Sequence, residues 1–196
     1  MTDVSPAEDQ IPALLAAAPN HQTRWCIISG PPCSGKTTLL QELSRRGFRT
    51  NSDLSRKHFE DQRAAGLDLE QLRSSGASLH RKLFLRMLSN AAGLPPDQLV
   101  FHDYGLPDNV AFRLADGLPE DPDLMRSCAA FRYWKVFLLA PVPFVRDGIR
   151  MEDEAYQHQL AALLPGVYES LGYAPISVPL ESVHNRCQQI LSVVSA

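Results

Sequence analysis

The chain has 196 residues, of which 44% are hydrophobic and 21% charged, and its formal net charge is −3. These values are typical of a globular protein that buries its own core, and the acidic balance argues against broad nucleic-acid binding. No apolar run approaches the ~20 residues that cross a bilayer, and the first residues lack the basic-then-apolar order of a signal peptide. We therefore expect a cytoplasmic protein with no nucleic-acid partner and no membrane insertion.

The predicted elements alternate between strands and helices from Arg24 onward. The preceding residues, 1–22, carry three prolines and an alanine run, so we expect a tail or a loosely docked segment there, followed by one domain over 23–196. Apolar, β-branched runs predict five strands, at 24–29, 48–53, 98–105, 131–140 and 174–180. Helical patterns cover 35–47, 54–93 with a break at Gly66, about 152–171 with an interruption at Pro165 and Gly166, and 181–194.

Five strands separated by helices indicate the α/β class, with a parallel five-stranded sheet and helices on both faces. In such sheets, ligands bind at the carboxyl ends of the strands. The four cysteines (Cys26, Cys33, Cys128 and Cys187) are scattered, without metal-ligand spacing, and are expected to be free thiols. The strand ends are therefore where we look for chemistry.

A glycine-rich loop joins the first predicted strand to the first predicted helix. Its sequence, GPPCSGKT over 30–37, matches the phosphate-binding pattern G-x-x-x-x-G-K-[ST] at every fixed position. Backbone N–H groups of such a loop point at phosphate oxygens, Lys36 reaches the β- and γ-phosphates, and Thr37 offers a hydroxyl to Mg²⁺. A chance glycine turn is disfavoured by the flanking strand and helix. The predicted nucleotide-binding residues are Gly30, Pro31, Pro32, Cys33, Ser34, Gly35, Lys36, Thr37 and Thr38.

Two carboxylates follow other predicted strands. Asp103 ends the run LVFHD, a position that commonly holds Mg²⁺ or its water, although a turn residue capping the strand is the alternative. Asp53 ends TNSD and is a candidate catalytic group that takes a proton from an attacking hydroxyl or binds the acceptor. A helix N-cap is an equally good interpretation of Asp53.

Arginines supply the remaining candidates. Arg146 and Arg150 lie in a charged, proline-rich stretch, about 141–154, which we interpret as a lid that brings positive charge to a transferring phosphate. A solvated loop with local ion pairs is the alternative. Arg186, in the last predicted helix, either stacks on a nucleotide base or pairs with Glu181. His102 is expected to pack beside its strand rather than to act in catalysis.

These motifs, taken in order, resemble a small P-loop ATPase/kinase group. The group is typified by the AAA domain of the bifunctional NAD-biosynthesis regulator and by a light-trafficking GTP-binding protein of insects. The resembling segments are ISGPPCSGKTTLLQELSRRGF, SDLSRKHFEDQ, VFHDYGLPDNVAF, YWKVFLLAPVPFVRDGIRMED and YESLGYAPISVPLESVHNRCQQIL, which together span about residues 25–191.

The resemblance implies a three-layer, nucleoside/nucleotide-kinase-like P-loop NTPase fold that binds ATP or GTP with Mg²⁺. Lys36 and Thr37 match the phosphate and metal residues, and Asp103 matches the acidic residue of the third strand. Charged positions typical of the group fall on Arg56, Asp147 and Arg150. The chain departs from the group at Tyr104, where relatives often have arginine after the acidic residue. Asp53, Arg56 and Tyr104 are the candidate acceptor-binding residues.

The leading functional hypothesis is a Mg²⁺-dependent phosphotransferase that passes the γ-phosphoryl group of ATP to a small hydroxylated metabolite or nucleoside. ATP is favoured over GTP because the guanine-reading [NT]-K-x-D motif is missing from the sequence. The alternative is a regulatory nucleotide switch or ATPase that binds a partner, favoured by Tyr104. A vestigial loop is disfavoured because Lys36 and Thr37 are intact.

Overall fold

The computed structural model describes residues 8–19, 21–51, 76–142 and 154–195. Its centre is a sheet of five strands in which every neighbouring pair is parallel, in the order β2-β3-β1-β4-β5. The prediction of an α/β fold with a five-stranded parallel sheet is therefore confirmed. The strands are β1 (Trp25–Ser29), β2 (Arg49–Asn51), β3 (Val100–Asp103), β4 (Lys135–Leu139) and β5 (Ile176–Val178).

The helices of the described residues pack on both faces of this sheet. A short 3₁₀ turn (Glu8–Gln10) leads into the first of them. The seven α-helices are α1 (Ile11–Ala16), α2 (Lys36–Arg45), α3 (Gly76–Ala92), α4 (Leu106–Ala115), α5 (Pro122–Ala130), α6 (Glu154–Ser170) and α7 (Val183–Val194).

Strand β1 shows why the sheet has two apolar faces. All five of its residues are buried, and successive side chains of a strand point to opposite faces. Trp25 and Ile27 join the core cluster under α1 and α3–α6, whereas Cys26 and Ile28 join the cluster under α2 and α7. A strand covered on both faces needs this continuous apolar run. The sheet is therefore the middle of three layers, with helices above and below it.

Two helices lie between β3 and β4, where no helix was predicted from the sequence. Helix α4 follows Gly105 and begins with a proline in its first turn, and α5 begins at Pro122 after the N-cap Asp121. Proline and aspartate are favoured at helix starts as well as in turns. The same residues that read as turn formers are thus the helix boundaries.

The expected interruption of α6 at Pro165 and Gly166 is wrong, because the helix runs unbroken from Glu154 to Ser170. Proline has no N–H and so removes one helical hydrogen bond. Buried side chains before and after the proline, among them Leu164 and Tyr168, pack into the core. Tertiary packing therefore outweighs the local cost.

Residues 8–19, part of the segment expected to be a tail or loosely docked, contact the core. Pro12 lies in the first turn of α1, where its fixed φ suits a helix, and Ile11 and Ala18 are buried in the main core cluster. Arg81 of α3 further pairs with Glu8 at 3.0 Å. Residues 8–19 are therefore packed onto the fold.

Replacing Ile11 by alanine is expected to lower the free energy of unfolding by about 2 kcal/mol, because Ile11 is only 4% exposed and its loss leaves a cavity. Urea unfolding measures the change. Ala13→Ser, at an exposed position of the same helix, is the control and should change stability by less than about 0.5 kcal/mol. An Ile11→Ala protein as stable as the control would contradict docking of this segment.

No helix among the described residues is long and apolar enough to cross a membrane.

Candidate active site

The glycine-rich loop of residues 30–35 connects β1 to α2 at the carboxyl edge of the sheet. Gly30 has φ +146°, and a Cβ there would lie 2.7 Å from the carbonyl oxygen of Leu139. Gly35 has φ +85° and is the N-cap of α2. Side chains are excluded at Gly30 by contact and disfavoured at Gly35 by conformation. The two fixed glycines of the motif are thus required by the fold of the loop itself.

Lys36, the first residue of α2, is buried and folds back over the loop. Its Nζ donates to the carbonyl oxygens of Gly30 and Pro31, both at 2.8 Å, and contacts Ser34 Oγ at 3.2 Å. The same ammonium lies 4.5 Å from the ring centroid of Tyr104. Lys36 is therefore placed at the phosphate loop, where the sequence predicted it.

Three other elements bind the remaining carbonyls of the loop. Gln157 Nε2 of α6 donates to Pro32 O at 2.8 Å, and the backbone N–H of Val142 donates to Cys33 O at 2.8 Å. Arg186 of α7 donates through Nη1 to Ser34 O at 2.6 Å. Every carbonyl from residue 30 to residue 34 thus accepts a hydrogen bond from protein. Loops of this motif bind phosphate through their backbone N–H groups.

Arg186 is a structural partner of the loop. Besides Ser34 O, its guanidinium donates to Pro179 O at 2.8 Å and to Ala140 O at 3.1 Å. The side chain is only 4% exposed, and burial lowers the pKa of Arg186. The expected surface pair with Glu181 is therefore not its main contact; base stacking stays a prediction.

Asp103 and Tyr104 stand at the carboxyl end of β3, beside the end of β1. Asp103 is paired in register with Ile28, and the backbone N–H of Tyr104 donates to Ile28 O at 3.3 Å. Tyr104 has φ +64°, which is uncommon outside glycine, and its ring packs edge-on against Phe112. Non-glycine residues held in this conformation concentrate at functional sites. Strand β3 thus brings both predicted residues next to the loop.

Asp108 forms a buried polar network directly behind the loop. Its carboxyl accepts hydrogen bonds from the hydroxyls of Ser29 and Tyr168 and, at 2.7 Å, from the backbone N–H of Gly105. The residue is fully buried. Burial raises the pKa of Asp108, although the three donors and the charge of Lys36 pull in the opposite direction. The network ties β1, α4 and α6 together just before Gly30.

A second polar chain joins the ends of β2 and β3. Asn90 donates to Asn51 at 2.8 Å, and Asn51 lies 3.0 Å from His102 Nδ1. His102 packs 5.2 Å from the ring of Trp25, and burial lowers its pKa to about 3. His102 is therefore neutral at physiological pH and belongs to the core, as the sequence indicated.

The residues predicted to hold Mg²⁺ are Thr37 and Asp103. Among the described residues, no group of three or more histidine, cysteine or acidic side chains forms a metal site. That donor set still suits Mg²⁺, which usually takes one or two protein oxygens and completes its shell with water and substrate phosphates. Half-buried Thr37, in the first turn of α2, supplies a hydroxyl, and half-buried Asp103, at the end of β3, supplies a carboxylate.

Four predicted site residues lie outside the described residues: Asp53, Arg56, Arg146 and Arg150. The same is true of Gly66, Asp147 and most of the predicted lid. Thr38 is described and is exposed in the first turn of α2. The structure therefore places the glycine-rich loop, Lys36, Thr37 and Asp103 at the carboxyl edge of the sheet, and the binding roles of these residues and of the acceptor-binding residues stay predictions.

Sequence reasoning missed Gln157, Asp108 and Tyr168. Gln157 and Tyr168 look like ordinary helix positions, and only the packing of α6 against the loop reveals their partners. Asp108 could have been identified from the sequence. It lies three positions after Gly105, and an acidic residue three positions after the N-cap is typical of a helix start.

A cavity of about 320 Å³ lies beside the loop, between α6 and the sheet. Its lining is mostly apolar and includes Gly30, Pro31, Pro141, Leu164, Pro165 and Ser177. Such a surface suits an uncharged part of a ligand better than it suits phosphates.

The fold and the loop together define a P-loop nucleotide-binding protein with a kinase-like architecture. The chain belongs to the AAA domain family, whose sequence model matches residues 25–186. This confirms the resemblance seen in the sequence. No curated protein matches the sequence closely enough to be counted as a relative.

Solved structures are similar to the chain in fold. A crystal structure of NadR protein in complex with NR has a TM-score of 0.67 at 17% identity, and a complex of NadR with NAD and AMP-PNP has 0.66 at 18%. Both comparisons cover 90% of this chain and 51% of NadR, so the chain spans about half the length of that protein. Thymidylate kinase from Ehrlichia chaffeensis has a TM-score of 0.54 at 13% identity, covering 90% of this chain and 100% of the kinase.

Proposed function

We propose that this protein is a Mg²⁺-dependent phosphotransferase that transfers the γ-phosphoryl group of ATP to a hydroxyl of a small metabolite or nucleoside. The observation that carries the proposal is the loop of residues 30–35, whose carbonyls from residue 30 to residue 34 all accept hydrogen bonds from protein. Its N–H groups and the Lys36 ammonium form a prepared site for a polyphosphate. The NadR complexes with NR and with AMP-PNP support a nucleoside-like acceptor and ATP as donor.

The chain's own residues would act as follows. The loop and Lys36 would hold the β- and γ-phosphates, and Thr37 and Asp103 would hold Mg²⁺, which would supply positive charge next to the phosphates. An acceptor oxygen forms a bond to the γ-phosphorus as the bond to the β–γ bridging oxygen breaks, and ADP leaves. Asp53 takes the hydroxyl proton. Arg146 and Arg150, from the proposed lid over 141–154, neutralise charge that develops on the transferred group.

The test is a search for a phosphorylated product. Purified protein is incubated with Mg²⁺ and γ-labelled ATP against a panel of nucleosides and hydroxylated metabolites, and we expect label to appear in at least one acceptor. A Lys36→Met protein, purified in parallel, controls for contaminating kinases. Label that never leaves ATP except as inorganic phosphate, across the whole panel, would refute phosphotransfer.

A regulatory switch is the second candidate, and the contact of Tyr104 with Lys36 favours it. Relatives often have an arginine at the position of Tyr104, whose neutral ring lies 4.5 Å from the Lys36 ammonium. The chain therefore lacks at this position a positive charge that could stabilise the transferred phosphoryl group. Slow hydrolysis that no acceptor accelerates, combined with partner binding that depends on nucleotide, would identify the switch.

A further inference from the structure

Gln157 is a buried polar side chain with a specific pair of partners. It lies in the first turn of α6 and is 3% exposed. Its Nε2 donates to Pro32 O at 2.8 Å and approaches Val142 O at 3.4 Å. One amide group thus bridges the phosphate loop and the segment that follows β4. Burying glutamine costs side-chain entropy. The hydrogen bonds of the bridge have to offset that cost.

The bridge satisfies a carbonyl at the tip of the loop. A buried carbonyl without a donor destabilises the conformation that buries it. Pro32 and its neighbour Pro31 have no N–H groups, so local backbone hydrogen bonding at this tip is restricted. The next carbonyl, that of Cys33, accepts from the N–H of Val142. Gln157 and Val142 therefore hold two consecutive carbonyls of the loop.

We propose that Gln157 is a positioning residue of the phosphate loop: by holding the Pro32 carbonyl, it keeps the loop in the conformation that binds the phosphates of a nucleotide. Gln157 acts through the loop rather than by touching the ligand. The inference rests on nucleotide binding by this loop and does not depend on which acceptor, if any, receives the phosphate.

Two substitutions remove the donor while keeping the length of the side chain. Gln157→Glu replaces the amide by a carboxyl, and Gln157→Met has no donor at all. The matched control is Gln159→Glu, because Gln159 lies on the same helix and donates to Ala115 O at 3.2 Å, away from the loop. Titration calorimetry with Mg²⁺ and AMP-PNP measures affinity, and thermal unfolding measures stability.

We expect both Gln157 variants to bind AMP-PNP about tenfold more weakly at pH 8.5, since a buried acceptor loses its partner. The control should bind like the native protein. Gln157→Glu should also regain affinity, relative to native, when the pH is lowered to 5.5, because a protonated carboxyl donates again. The nearby charged and titratable groups are unchanged in every variant: Lys36 of α2, which binds the adjacent carbonyl of Pro31, and the exposed Glu154 and His158 of α6. Gln157→Met has no titratable group at this position and should show no such recovery, and thermal unfolding at both pH values separates a recovery of affinity from a recovery of stability.

Either Gln157→Met binding within twofold of native, or an equal loss in the Gln159 control, would overturn the proposal. A Gln157→Glu deficit that is constant with pH would do the same. If Gln157→Glu does not fold, the comparison of Gln157→Met with the control decides. Failure of the native protein to bind AMP-PNP overturns the nucleotide site together with this proposal, whereas absence of a phosphorylated product affects only the proposed phosphotransfer.

Discussion

Replacing Lys36 by methionine is expected to weaken the binding of Mg²⁺–ATP by about a hundredfold, the upper range for a lost charged hydrogen bond. The substitution removes the ammonium that reaches the phosphates. It also removes the donor to the carbonyls of Gly30 and Pro31, two buried residues of the loop. The substitution therefore removes the electrostatic attraction for the phosphates and also two hydrogen bonds that hold the loop conformation. Titration calorimetry measures the affinity, and product formation should disappear with it.

Lys135→Met is the control for the loss of a charge. Lys135 begins β4 at the amino edge of the sheet, opposite the loop, and its ammonium lies 5.4 Å from the ring of Trp134. This variant should bind nucleotide like the native protein. Equal losses in the two variants would mean that net charge, not the position of Lys36, governs affinity.

Replacing Asp108 by alanine is expected to lower the free energy of unfolding by about 3 kcal/mol. The change leaves the hydroxyls of Ser29 and Tyr168 and the N–H of Gly105 without their common acceptor in a fully buried site. Asp108→Asn keeps an oxygen acceptor and should lose clearly less. Urea unfolding of the two variants measures the difference, and an Asp108→Ala protein with native stability would contradict the network.

The stability that Asp108 contributes should decrease as the pH rises. Burial raises the pKa of Asp108 in the folded protein above its ordinary value of 3.8, so folding takes up a proton at this carboxyl. The corresponding stability is complete below pH 3.8 and is lost as the pH rises through the folded-state pKa. Asp108→Asn cannot titrate, so its curve of stability against pH should be flatter over that interval.

The phosphate loop could be predicted from sequence because its chemistry depends on residues close together in the chain. Gly30, Gly35 and Lys36 act through fixed spacing, and the buried strand before them has a visible apolar pattern. The five strands were predicted for the same reason, although β4 and β5 are shorter than their apolar runs. The apolar runs of the sequence extend beyond the residues that form hydrogen bonds with a neighbouring strand.

The support behind the loop could not be predicted, because its contacts join residues far apart in the chain. Arg186 meets Ser34 across 152 positions, and Gln157 meets Pro32 across 125. No periodicity or motif encodes such a pair. Pro12, Pro107 and Pro165 show a second limit, since proline indicates a break while its role depends on where the helix starts and what packs on it.

The hydrogen-bonded carbonyls of residues 30–34 have a consequence for the thermodynamics of binding. A loop whose conformation is held by the surrounding protein loses little conformational entropy when it binds a ligand, since that loss already belongs to folding. Affinity and stability should then be linked: changes in α6 or α7 that loosen the loop lower both, and nucleotide raises the melting temperature by an amount that grows with the logarithm of its concentration above Kd. Helices α6 and α7 therefore contribute to the affinity for the ligand, although they contact the loop and not the ligand.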